Sequence, residues 1–142
     1  MLMMTFLLSG CSKTVPAENL KSFHFSYSTG TMSNSSVSYD LSYKDGVYTA
    51  SVKPDGVAEE DASVYIVDEA FVSKLEAALQ ENHVERWNGF QKSNPNVMDG
   101  NGFSFSYYTM DLEGCSASGY MSWPGNYGEV KAAIEGVFAQ LY

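Results

Sequence analysis

The chain has 142 residues, 44% of them hydrophobic and 18% charged, which is enough apolar material for one folded core and too little charge for a disordered chain or a coiled coil. Seventeen acidic residues stand against eight basic ones, a net charge of −9, and Arg86 is the sole arginine. With no basic face to neutralise phosphates, nucleic acid is excluded as an expected partner, and charge alone would not hold the protein on an anionic membrane.

The chain opens on an apolar run, Met1 to Leu8, followed by Leu8-Ser9-Gly10-Cys11. A run this short cannot cross a hydrocarbon core that needs ~20 helical residues, but it suffices for the apolar region of a signal segment. The four residues resemble the lipobox of bacterial lipoproteins, which is cut just before a cysteine that carries lipid. The resemblance implies a signal segment over 1–10, a lipidated Cys11 opening a tether over 11–20, and an extracytoplasmic domain anchored in the cell envelope. Acyl chains contribute ~0.8 kcal/mol per buried methylene, so membrane contact would come from the lipid. No Lys or Arg precedes Lys13, so the cationic stretch that such signals carry is expected upstream of Met1. The alternative is an apolar edge strand with Cys11 an ordinary thiol, which leaves a Cys11–Cys115 disulfide open.

The segment Ser12 to Leu20 is short, polar and interrupted by Pro16, as a tether would be. From Lys21 the period is two. Phe23, Phe25 and Tyr27 alternate with His24, Ser26 and Ser28; Val37, Tyr39, Leu41 and Tyr43 alternate with Ser36, Ser38, Asp40 and Ser42. Lys44-Asp45-Gly46 supplies a hairpin turn into a third strand over 47–53. Past the acidic Glu59-Glu60-Asp61, residues 63–67 read as a fourth strand. Asp68 is placed to cap a helix from Glu69 to about Gln80, with Phe71, Leu75, Ala78 and Leu79 as its buried stripe. A long connection over 81–101 follows, then a second hairpin, 103–112 and 115–123, around Glu113-Gly114. Asn126 is placed to cap a final helix to Tyr142, with Glu129 completing a capping box.

These elements predict an α+β fold over 21–142: two layers, an antiparallel sheet of five to six strands, and two helices on one face, in the order ββββ-α-ββ-α. Antiparallel sheets commonly leave one face wet. Here that face would carry His24, Asp40, Tyr108 and Tyr120 among serines, a candidate surface for a protein or a glycan, with inert solvation and an inward-curling sheet as the alternatives.

Other chemistry is sparse. Cys115 with His24 or His83 would be a thiol and base, yet Cys115 alternates in phase with Ala117, Gly119 and Met121, as a buried thiol does. Two distant histidines make no zinc pattern, and Asn94 to Gly102 fails the register of a calcium loop. No metal or cofactor is expected. Trp87-Asn88-Gly89-Phe90, then Asp99-Gly100, then Pro124-Gly125-Asn126-Tyr127 and a terminal helix resemble, over roughly 39–142, small bacterial lipoproteins and cell-surface proteins of unknown function. The expectation is a lipid-anchored, non-enzymatic binding module. An envelope hydrolase, or an inhibitor-like module presenting the loop Gln91 to Gly102, are the alternatives.

Overall fold

The computed structural model describes residues 14–29, 35–94, 96 and 100–142. The lipobox, Cys11, and Pro95 with residues 97–99 of the Asn94–Gly102 loop lie outside them. Seven strands, β1 (Leu20–Ser28), β2 (Ser36–Lys44), β3 (Val47–Lys53), β4 (Ser63–Val67), β5 (Gln91–Ser93), β6 (Gly102–Thr109) and β7 (Gly114–Tyr120), form one sheet in the order β4-β3-β2-β1-β6-β7-β5. Helices α1 (Glu69–Glu81) and α2 (Tyr127–Phe138) complete the α+β fold. None of the described helices is long and apolar enough to cross a membrane.

Alternation decides the layers. Phe23 and Phe25 of β1, Tyr39 and Leu41 of β2, and Phe103, Phe105 and Tyr107 of β6 are buried in one cluster with Phe71, Val72, Leu75 and Leu79 of α1 and Val130, Ile134, Val137 and Phe138 of α2. Both helices therefore cover the aromatic face. Phe105 sits at its centre, edge-on to Phe23 at 5.8 Å and to Trp87 at 5.1 Å, geometries that ring quadrupoles favour. The β2–β3 turn takes positive φ at Asp45 (52°) and Gly46 (81°), the mirror-image turn that matches strand twist. Asp68 caps α1 as its sequence position requires, accepting the Phe71 N–H at 3.0 Å.

Several expectations are corrected. The sheet has seven strands, not five to six, and is mixed: β5, within the stretch read as a bare connection, pairs parallel with β7. Three polar residues, Gln91-Lys92-Ser93, give no period to detect; the strand forms because the β7 edge offers unpaired backbone groups. Each strand of the second hairpin begins one residue before and ends three residues before its expected bounds, at Thr109 and Tyr120, and Met110 to Glu113 turn, with Leu112 at positive φ. The final helix stops at Phe138 and continues as a 3₁₀ turn, Ala139–Leu141. Asn126 forms no side-chain cap on α2. Its Oδ1 accepts the indole N–H of Trp87 at 2.8 Å and its Nδ2 donates to the Asn82 carbonyl at 2.7 Å, so this amide ties the corner at Trp87 to the end of α1.

The described part of the supposed tether, 14–20, is packed. Val15, Ala17 and Leu20 are buried, and the carbonyls of Val15, Ala17 and Leu20 accept from the Tyr107 hydroxyl, the Gln80 amide and the Tyr48 hydroxyl. The strap buries Val15, Ala17 and Leu20 while its carbonyls are satisfied by side chains of three elements. Replacing Tyr107 by Phe should lower the unfolding free energy by about 1–2 kcal/mol in urea titrations, because the Val15 carbonyl loses its partner in a dry site. Amide exchange over 15–20 should quicken more than exchange in β1.

Candidate functional site

The face opposite the helices is uncovered, and cross-strand register arranges it in rows. One row runs Val64, Ser51, Asp40, His24, Ser106, Ser116; the next runs Lys53, Ser38, Ser26, Ser104, Ser118, Gln91. The serines project outward, which overturns the inward-curling alternative: Phe, Tyr and Leu on the other phase already fill the core.

His24 and Asp40 are direct cross-strand neighbours on β1 and β2. His24 Nδ1 lies 2.6 Å from Asp40 Oδ1, and Nε2 lies 3.1 Å from Ser26 Oγ, two residues along the same strand. A carboxylate only accepts, so Nδ1 carries the proton; the neutral ring then accepts from the Ser26 hydroxyl through Nε2. Serine, imidazole and carboxylate thus stand in the order of a nucleophilic relay. The hydrogen bond that His24 donates to Asp40 raises the His24 pKa above its ordinary 6.5, burial opposes it, and the charges of Asp40 and then Glu59 add to the rise. The set is open, with side chains 37% (His24) and 44% (Asp40) exposed. Strand N–H groups point along the sheet plane into the ladders, so none of β1's own amides is aimed at charge developing above Ser26.

Of the residues placed on this face from sequence, His24 and Asp40 come together. Tyr108 is close, two positions beyond Ser106 on β6 and 47% exposed. Tyr120 is not: it pairs with Gly102 at the far end, and its hydroxyl accepts the Gly100 N–H at 2.6 Å, anchoring the loop. In the sequence Ser26 stands as one serine among several on the same phase. The spacing His24-x-Ser26 on one strand was a usable signal, whereas Asp40 opposite His24 depends on a register that the sequence leaves free.

Cys115 lies on the other side of the sheet, in the core. Its thiol is directed at the Val84 carbonyl at 3.7 Å, and burial, with Glu85 adding and Tyr107 opposing, pushes its pKa up to about 11. It is separated from His24 by the sheet itself, and His83 turns to solvent beside Glu85, 3.6 Å from its carboxylate. Of the loop proposed as an inhibitor-like projection, Gln91–Ser93 is fixed as β5 and Asn94 donates to the Tyr120 carbonyl. Among the described residues no three His, Cys, Asp or Glu side chains converge as metal ligands.

Two measurements check this geometry. In an NMR titration His24 should ionise above pH 6.5, and Asp40→Asn should return it toward that value. A raised pKa means that the stabilisation is fully present below pH 6.5 and is lost as pH rises through the folded value; the stability gap between wild type and Asp40→Asn should therefore close from pH 6 to pH 9. Cys115 should resist a thiol reagent at pH 8 until denaturant unfolds the chain, since neither access nor thiolate is on offer. Set against known proteins, the chain matches no family model and no curated protein.

Proposed function

We propose that this chain is an envelope lipoprotein, held at a membrane by lipid on Cys11, whose folded part is a non-enzymatic binding module working through the uncovered sheet face. The observation that carries the binding reading is the face itself: two adjacent rows rich in hydroxyls, with the His24–Asp40 pair at the centre and the exposed Tyr108 ring beside it. Such a surface matches a partner rich in hydroxyls or amides, a glycan before a protein, because each serine both donates and accepts while the tyrosine ring offers an apolar plane. The anchor is supported by the contiguous apolar run, small residues and Cys11.

A second reading is favoured by the hydrogen-bonded order Asp40, His24, Ser26, which would suit acyl transfer to Ser26. It ranks second because the set is open to water and no amide of its own strand faces the hydroxyl.

Mass spectrometry of the protein expressed in a bacterial host should find an acylated N-terminal Cys11, and Cys11→Ala should move the protein to the soluble fraction. Sedimentation with purified envelope glycan should fall about tenfold or more, ~1.4 kcal/mol, when Ser104 and Ser106 are both replaced by Arg. A fluorophosphonate probe should leave Ser26 unlabelled. Labelling that disappears in His24→Ala would establish the hydrolase reading instead.

A further inference from the structure

At the end of the sheet away from the strap, on the helix-covered side, lies a half-open hollow of about 460 Å³. Its floor is Tyr39 and Val52, both buried; Tyr27, Tyr65 and Val37 form walls, and Tyr142 and Asp55 stand at the lip. Four tyrosines around one cavity of this size is more than packing needs, since a filled core would leave none.

The electrostatics select the occupant. Tyrosine rings present negative faces. The Tyr27 hydroxyl donates to Glu135 at 3.1 Å, and the Asp55 carboxylate is held in place by the Thr29 hydroxyl at 2.6 Å. The nearby cations are already engaged: Lys131 pairs with Glu135 at 2.7 Å, and Lys53 extends over the serine face to Ser36. Burial, then Glu135, pushes the Tyr27 pKa up to about 12, and burial, then Tyr27, raises that of Tyr39, so both stay neutral phenols. Lys131 shows what the Tyr27 ring accepts: its ammonium stands 4.6 Å from the centroid of that ring. An anion would meet the Asp55 carboxylate at the lip, with no free cation in the lining to offset it. A hydrated inorganic cation would find few oxygens to replace its water. A cation with an apolar shell loses little on entering and gains ring faces on several sides.

We propose that this hollow is an aromatic cage for a quaternary ammonium group, with Tyr27, Tyr39, Tyr65 and Tyr142 supplying the ring faces and Asp55 the counter-charge. The site is separate from the serine face and stands or falls independently of the lipoprotein reading.

The test uses the full chain, isotopically labelled, titrated with choline, with its neutral carbon isostere 3,3-dimethylbutanol, and with sodium chloride at matched ionic strength. Saturable shifts of Tyr65 and Val52 signals are expected for choline, with affinity about tenfold or more above that of the isostere. Tyr65→Ala should abolish them; Tyr142→Ala, at an exposed residue, and Asp55→Asn should each weaken choline about threefold or more without altering the rest of the spectrum. Vesicles of phosphatidylcholine and of phosphatidylglycerol form a second arm: preference for the former assigns a lipid headgroup as source, and choline binding without vesicle capture assigns a free solute. Absence of saturable choline shifts, equal binding of the neutral isostere, or choline binding unchanged in Tyr65→Ala and Asp55→Asn would each overturn the cage.

Discussion

Everything on this molecule hangs on the register of β1 between β2 and β6. The strand carries Phe23 and Phe25 on one phase and His24 and Ser26 on the other, so the same hydrogen-bond ladders that seat the aromatic rings under the helices set the imidazole against Asp40. A slip of one residue would exchange the two sets, burying His24 and Ser26 and exposing the rings. The core therefore fixes the site. The cost of misregistry is paid in buried aromatic area, several kcal/mol per ring, against which the partly exposed His24–Asp40 pair contributes little.

A one-sided sheet divides labour between its faces. Under the helices, aromatic rings and the strap at 14–20 fill the space, and polar groups there are answered singly: Tyr107 by Val15, Trp87 by Asn126, Tyr48 by Leu20. On the open face, Ser26, Ser28 and Ser36 are engaged with His24, Gly102 and Lys53, while Ser104, Ser106, Ser116 and Ser118 of β6 and β7 face water with their hydroxyls. The two sites lie at different places for the same reason: the ring-lined hollow forms only where the helix-covered core ends, and the hydroxyl rows only where nothing covers the sheet.

Alternation over 23–27, 37–43 and 103–107, the Asp45-Gly46 turn and the Asp68 cap were legible because each is a local rule with a short period. What escaped the sequence was non-local. β5 has three polar residues and exists only because β7 lends it an edge. Asn126 looked like a cap, since an asparagine before a helix with Glu129 beyond it satisfies the local pattern; Trp87, thirty-nine residues earlier, outcompetes the helix for its oxygen. Ser12 to Leu20 looked like a tether because average polarity conceals that Val15, Ala17 and Leu20 share one side. In the candidate site, His24 and Asp40 were visible as members of a face, but their contact needs the pairing of two strands joined by a loop whose length does not dictate register. The hollow draws on Tyr27, Tyr39, Tyr65 and Tyr142 from four places in the chain, each ordinary as a core or surface tyrosine.

The packed strap alters what lipidation of Cys11 would mean. Only Ser12, Lys13 and Thr14 separate Cys11 from the buried Val15, and four extended peptide steps span at most about 14 Å. An acylated Cys11 would thus hold the folded part against the bilayer rather than on a leash, with the beginning of β1 nearest the lipid. The hollow lies by the other end of that strand, nine residues or about 25–30 Å along. A module tethered in this way would open its tyrosine cage toward the surrounding medium, so that a quaternary ammonium group in solution, or on a facing surface, reaches it more readily than a headgroup of the bilayer that holds the anchor.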